Sequence, residues 1–374
     1  MYEHEFELDP NIVYLNHAAV APWPKRTKQA VIDFATQNTT SGGASYDRWI
    51  ETENKLREKL ARLIGATNSS DIALQKNTSE ALSTIAYGIA WKQGDSVVTS
   101  QQEFPSNRIV WQSLQTLGVE THCVDLYSDP NPEDALFQAV TPSTRLMAIS
   151  SVQYACGLRM DLDRISEFCQ QNNILLCVDA IQSLGAGYFN LQHTPVDFIV
   201  ADGHKWMLGP EGTALLYVRP ELRDTLQLHE FGWHMIQERW RFPHGEWEIA
   251  DDATRFECGS SNMTGVHALN ASLSLIEEVG IAVIEQTLKN HLGELIDWID
   301  LQPELQLITP KSENRRLGII TVKRIGADNS AIYRAARRQG IYCAERGGGV
   351  RLSPHFYTPK DKLFQALEFI RDYS

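Results

Sequence analysis

The sequence predicts an α/β protein: a large domain built on a mostly parallel sheet sandwiched between helices, with a smaller α+β domain at the carboxy-terminal end. Three observations carry this expectation. From about residue 70 to 220, apolar strand-like runs alternate with amphipathic helical segments, the pattern of parallel strands joined by crossover helices. A second strand-helix-strand pattern lies near the carboxy-terminal end. The length of 374 residues also exceeds the roughly 250–300 at which a single hydrophobic core stops growing.

In chain order, a helix is expected over residues 26–37, a candidate to join the smaller domain although it falls inside the span given to the large one. Strands are expected at 96–99, 120–124, 146–150, 174–179, 198–201 and 213–218, each apolar and bounded by polar or turn-forming residues. Between them, segments such as 80–90 and 165–172 repeat apolar residues at three- and four-residue spacing, as Ala81, Leu82, Ile85, Ala86 and Ile89 do. A stretch containing Trp233, Trp240 and Trp247 leads to a helix at 265–278. Beyond it, 319–323, 331–339 and 350–352 read as strand, helix and strand. The expected division is 16–255 for the large domain, and 1–15 with 256–374 for the small one. No repeat, low-complexity tract or Pro/Gly/Ser linker separates them, so they are expected to pack around a cleft.

Composition excludes several classes. Hydrophobic residues make up 43% and charged residues 22%, as in ordinary globular proteins. A net charge of -13 repels a phosphate backbone, so nucleic acid is not an expected partner. The acidic start Tyr2-Glu3-His4-Glu5 leads into no apolar run, and no stretch reaches the length of a membrane span. A soluble cytoplasmic protein with no membrane partner is the expectation. The six cysteines (Cys123, Cys156, Cys169, Cys177, Cys258 and Cys343) include no Cys-x-x-Cys pair and read as buried thiols rather than disulfides or a zinc site.

Chemistry in such sheets belongs just past the carboxyl ends of the strands. There stands Lys205, in Asp202-Gly203-His204-Lys205-Trp206, after one apolar run. Asp179 ends another, Leu175-Leu176-Cys177-Val178-Asp179, with Gln182 three residues on. Lys76-Asn77-Thr78-Ser79-Glu80 opens a helix, with Thr78 read as its N-cap, and free amides at a helix start suit a phosphate. Taken singly these are a loop lysine, a turn aspartate and a capped helix. Together they suit a lysine-bound pyridine cofactor: a carboxylate keeps the ring nitrogen protonated, an amide reaches the ring hydroxyl, and the ring withdraws electrons from a substrate α-carbon.

In this order the motifs resemble the class V aminotransferase family of fold-type I pyridoxal-5'-phosphate (PLP) enzymes, which includes cysteine desulfurases, selenocysteine lyase and isopenicillin N epimerase-like proteins. The resemblance runs from Tyr14-Leu15-Asn16-His17-Ala18-Ala19 to Arg351-Leu352-Ser353-Pro354-His355-Phe356-Tyr357. It implies PLP held as a Schiff base on Lys205, with Asp179 and His204 as further catalytic residues. It implies phosphate contacts from Asn77, Thr78, Ser79 and His204, a ring stacked on the cofactor from Phe104, and contacts of Asp179 and Gln182 with the pyridine. Ser260 would reach the phosphate of a neighbouring subunit, so a homodimer with active sites at its interface is implied. Arg351 would bind the α-carboxylate of an amino-acid substrate. No metal is expected.

Three departures from the family pattern stand out. Asp202 occupies a position where relatives place a small polar phosphate ligand. Tyr154 stands where cysteine desulfurases carry asparagine. The link from Gly340 to Arg351 is short, and its only thiol, Cys343, ends an apolar stretch instead of sitting in a loop; Cys156 is a more distant candidate. The resemblance therefore implies an aminotransferase first. Alternatives are a β-eliminating C–S lyase, a cysteine desulfurase or selenocysteine lyase-like enzyme, and a non-catalytic PLP-binding protein. Trp233, His234, Arg48 and Tyr46 are expected as substrate-side contacts. A nicotinamide dehydrogenase is disfavoured because Gly185-Ala186-Gly187 lacks the third glycine of the fingerprint, and His229 with His234 lacks a third zinc ligand.

Overall fold

The computed structural model describes residues 2–242 and 245–373. The amino-terminal half contains β1 (Val13–Tyr14), α1 (Lys25–Ser41), α2 (Tyr46–Ile64), β2 (Ile72–Gln75), α3 (Thr78–Gly88), β3 (Ser96–Ser100), α4 (Ser106–Ser113) and β4 (Glu120–Val124). Then come α5 (Pro132–Gln138), β5 (Thr144–Ser150), α6 (Leu162–Gln171), β6 (Leu175–Asp179), β7 (Phe198–Asp202) and β8 (Ala214–Val218). The remainder forms α7 (Met263–Val279), α8 (Ile281–Asp300), β9 (Leu305–Leu307), β10 (Ile320–Arg324), α9 (Asn329–Arg338), β11 (Ile341–Tyr342), β12 (Ala344–Arg346), β13 (Gly349–Leu352) and α10 (Lys360–Asp372).

Seven strands make one sheet in the order β2-β8-β7-β6-β5-β3-β4. All run in one direction except β8, which is antiparallel to both its neighbours. The apolar runs are nearly continuous because helices cover both faces, and the pleat divides their side chains between two cores. Val97, Phe198 and Val200 pack with Ala81, Leu82 and Ile85 of α3; Val98, Ile199 and Ala201 pack with Ile165 of α6 and Leu269 of α7. At the edge, β4 is only partly buried, which explains its polar residues Glu120, Thr121 and His122.

A four-stranded antiparallel sheet, β12-β13-β10-β9, forms the second layer. The amino-terminal segment docks on this part of the chain: Val13 and Tyr14 pair in parallel with Ile341 and Tyr342. Helix α1 packs along α7, which also contacts α2. Leu269 of α7 lies against the Lys205 loop, where a Cβ added to Gly203 would come within 2.8 Å of it. Among the described residues no single helix is long and apolar enough to cross a membrane.

All six strands expected between residues 96 and 218 are present, and the sheet gains β2, a four-residue strand too short to stand out by pattern. The helix start near residue 78 differs in detail. Asn77, not Thr78, is the N-cap: its side chain accepts from the Glu80 amide at 2.9 Å, and Thr78 is the first helical residue.

Candidate active site

A cavity of about 260 Å³ opens at the carboxyl ends of β6 and β7. Lys205 reaches it from the loop after β7. That loop is closed by bonds from the Gly203 amide to Thr213 O (3.0 Å) and from the Gly209 amide to Gly203 O (2.9 Å). Gly185 lets a neighbouring turn approach it: at φ 96°, an added Cβ would lie 2.3 Å from the Trp206 carbonyl oxygen. Lys205 is 8% exposed, and its Nζ sits 5.6 Å from the centre of the Phe104 ring. Burial pushes its ammonium down to about 8, with Asp179 opposing the shift and Arg351 adding to it.

Asp179 ends β6 and accepts from the Ile181 amide at 3.0 Å. Burial pushes its carboxyl up to about 7; the Ile181 amide and Lys205 offset only part of this, and nearby Glu103 adds to it. Gln182 is buried and already engaged. Its amide nitrogen donates to Ala18 O at 3.0 Å, and its oxygen accepts from Trp206 Nε1 at 2.9 Å. Those bonds fix the side chain and leave one N–H of the amide for a ligand.

At the other end of the cavity stands the start of α3. Asn77 and Ser79 are exposed, Thr78 is buried, and the amides of Thr78 and Ser79 precede the first intrahelical bonds. Thr78 Oγ1 accepts from the Asp202 amide at 3.1 Å, tying the helix start to the end of β7. Ser79 Oγ donates to Ser106 at 2.8 Å. Asp202 turns its carboxylate toward His204, with Oδ1 2.9 Å from Nδ1. The approach is too misaligned for a hydrogen bond, so both atoms remain buried without one.

Arg351, on β13, enters from the second sheet. It is 2% exposed, donates through Nη1 to Tyr154 O at 2.7 Å, and lies 3.4 Å through Nη2 from Asn16 Oδ1. Among the described residues its Nε has no partner, and burial, aided by Arg346, pushes its guanidinium down to about 10. Tyr154 meets the Phe104 ring edge-on at 5.3 Å. Cys343 is buried between β11 and β12, and burial pushes its thiol up to about 12. Cys156 is buried too, 3.2 Å from the Tyr127 hydroxyl, with its thiol pushed up by burial.

Other candidates lie elsewhere. Ser260 is exposed beside a second hollow lined by Lys76, Gly212 and Glu230, outside the Lys205 cavity of its own chain. Trp233, Tyr46, Arg48 and His234 do not border the Lys205 cavity either. Trp233 meets Trp240 edge-on at 5.5 Å, Tyr46 meets the same ring edge-on at 6.1 Å, and His234 is buried against Glu257. Ligand atoms of Glu53, His234 and Glu257 approach within 4.8 Å of one another, but the Arg57 guanidinium pairs with both carboxylates and supplies the cation there.

Two residues at the site went unassigned in the sequence. Glu103 is buried behind Phe104, where it accepts from the Ser150 amide (2.9 Å), Gln153 (2.9 Å) and Asn107 (3.0 Å) and so pins the loop carrying the ring. Arg346 borders the cavity beside Arg351. The glycine triplet 347–349 was the available signal for a tight hairpin ahead of Arg351.

The Aminotransferase class-V family model matches residues 13–359. A probable cysteine desulfurase of Methanothermobacter thermautotrophicus is 28% identical, the match covering 94% of this chain and 92% of the relative. An uncharacterized aminotransferase, YcbU, of Bacillus subtilis is 27% identical over 88% of this chain and 85% of its own. Among solved structures, the cystine C–S lyase C-DES in complex with cysteine persulfide superposes with a TM-score of 0.91 at 20% identity, covering 98% of each chain. That likeness establishes the fold. With the family match spanning nearly the whole sequence, the chain belongs to the class-V aminotransferase family of pyridoxal-5'-phosphate-dependent enzymes.

Proposed function

We propose that the chain binds PLP through Lys205 and cleaves a cysteine-type amino acid by β-elimination, without forming a persulfide on itself. One observation carries the second half. The hairpin ahead of Arg351 contains no thiol, and Cys343 lies buried behind it with a thiol raised to about 12, so little thiolate forms near neutral pH. The cysteine desulfurase relatives support a sulfur-containing amino acid as substrate.

The residues present fit the cofactor. A buried amine, a buried carboxyl one strand away, an aromatic face and two amides at a helix start match its aldehyde, ring nitrogen, ring and phosphate in chemistry. Lys205 would hold it covalently, Asp179 at the ring nitrogen, Gln182 at the ring oxygen and Phe104 on its face. Asn77, Thr78, Ser79 and His204 would hold the phosphate, joined by Ser260 of a second copy in a homodimer. When bound, PLP draws electrons from the α-carbon of a joined amino acid and makes its C–H bond acidic.

This chain's own groups do the rest. Arg351 takes the α-carboxylate through paired N–H donors and fixes how the substrate sits. Lys205 Nζ accepts the α-proton, a task suited to an amine whose ammonium burial holds near 8. Asp179 ionises fully when a protonated ring nitrogen faces it, and keeps that nitrogen protonated. Phe104 and Tyr154 narrow the mouth and limit water.

Transamination is the second reading, favoured by the family description and by the name of the Bacillus relative; it uses the same residues up to proton removal. Borohydride reduction of the PLP-loaded protein should fix pyridoxyl on Lys205, and a label on another lysine defeats the assignment. Incubated with cystine or cysteine, the protein should release pyruvate and ammonia. Accumulation of pyridoxamine phosphate instead would establish the transaminase.

A further inference from the structure

The hairpin that carries Arg351 carries a second arginine aimed at the same cavity. β12 and β13 are joined by Gly347 and Gly348, with φ 58° and 76°. Two positive φ values in a two-residue loop are the type I′ pattern, whose twist matches that of the strands it joins. The register is thereby fixed: Arg346 faces Gly349, and Ala344 faces Arg351. Directly opposed side chains share a face, and diagonal neighbours on that face stand roughly 7–8 Å apart at their origins. Arg346 and Arg351 are such a diagonal pair. The residues opposite them are the two smallest types, so no bulky side chain separates the guanidinium groups.

Neither arginine meets a carboxylate among the described residues. Arg351 donates to the Tyr154 carbonyl oxygen and lies near the Asn16 amide, while Arg346 donates only to its neighbour's carbonyl, Glu345 O, at 2.7 Å. Glu211 also borders the cavity but pairs with neither. One α-carboxylate needs one guanidinium. A second cation, exposed at the rim and on the same face, raises the positive potential where the substrate side chain would lie.

We propose that Arg346 is a specificity residue, and that the substrate is an amino acid whose side chain ends in a second anionic group. Arg351 takes the α-carboxylate and Arg346 the distal anion. This rests on the site being the substrate site described above. A neutral side chain leaves Arg346 uncompensated, whereas a dianion engages both arginines, and complementarity of this kind selects between ligands. Because Arg346 is exposed and its interaction screened, the selectivity expected is a few-fold, up to about five-fold.

The test is calorimetric titration of PLP-loaded protein with succinate, glutarate and butyrate at constant ionic strength. Succinate or glutarate should bind a few-fold, up to about five-fold, more tightly than butyrate. In Arg346→Gln the preference should vanish while butyrate affinity stays the same, and Arg346→Lys should retain part of it. Wild-type protein that binds the monoanion and dianions alike, or binds none of them, overturns the proposal; so does a preference that survives in Arg346→Gln. Borohydride labelling of Lys205 in the same preparation keeps the two failures apart: loss of the label sinks the cofactor assignment, while an intact label with no dianion preference sinks only the role of Arg346.

Discussion

Two buried arginines of this chain have opposite surroundings. Arg57, on α2, sends Nη1 and Nη2 to the two oxygens of Glu257, Nη2 also to Glu53, and Nη1 to Ile72 O. Burial alone would lower its guanidinium, but the two carboxylates reverse this and hold it above its ordinary range. Arg351 is at least as buried, meets no carboxylate among the described residues, and is lowered to about 10. Burying an uncompensated charge is costly, so a fold that keeps one has a use for it. The difference separates a charge that holds the fold together from one that, on the proposed function, would take an anion.

The largest effect expected is on the paired site. Arg57→Met leaves Glu257 and Glu53 buried without their cation, and should destabilise the protein by about 3–5 kcal/mol in chemical denaturation. Arg351→Met removes a charge with no carboxylate to strand, so the same measurement should show little loss. Its cost should fall on turnover: about 1.5–3 kcal/mol of transition-state stabilisation, the scale of a charge-assisted hydrogen bond. Equal destabilisation by the two substitutions would erase the contrast.

Asp179 sharpens the comparison from the acid side, since it too is buried with its charge incompletely compensated. Its folded carboxyl stands near 7, above the unfolded value, so the folded state holds the proton more tightly. The stability this contributes is fully present below about pH 4 and is lost as pH rises through about 7. In cofactor-free protein, Asp179→Asn should therefore gain stability relative to wild type as pH rises from 5 to 8. A difference between the two proteins that does not change over that range would mean that Asp179 is already ionised in the fold. In the loaded enzyme the same substitution should lower activity, because a neutral amide cannot keep the ring nitrogen protonated.

The sequence revealed groups whose position depends on local pattern. Asp179 and Lys205 follow apolar runs that can only be buried strands, so their place at the strand ends was legible without the fold. The cap assignment slipped by one residue because Asn77 and Thr78 are both cap-forming types, and only backbone geometry separates them. Helix α2 was overlooked: its core residues Trp49, Leu56, Leu60 and Ile64 are interspersed with charges, one of which, Arg57, pairs with Glu257, 200 residues away, as well as with Glu53 of the same helix. Glu103 acquires its role from partners up to 50 residues distant. Arg346 becomes part of the site only through the register set by two glycines. Long-range pairing and strand register are not written in any short window of sequence.

The smallest effect expected is at Cys343, and it bears on the chemistry most directly. A persulfide-forming enzyme needs a thiolate that can reach the substrate sulfur and then leave the site to pass it on. Cys343 is 1% exposed on the strand side of the hairpin, and burial holds its thiol near 12, so the thiolate is scarce and enclosed. Removing its sulfur costs a little packing: Cys343→Ala should lower stability by about 1 kcal/mol, the scale of a small buried group. It should leave pyruvate release from cystine within about two-fold of wild type, a change well under the 1.4 kcal/mol that separates ten-fold steps. If sulfur release collapses in Cys343→Ala while pyridoxyl still labels Lys205, the hairpin must open to expose this thiol. The reaction would then pass through a protein persulfide, as in a cysteine desulfurase.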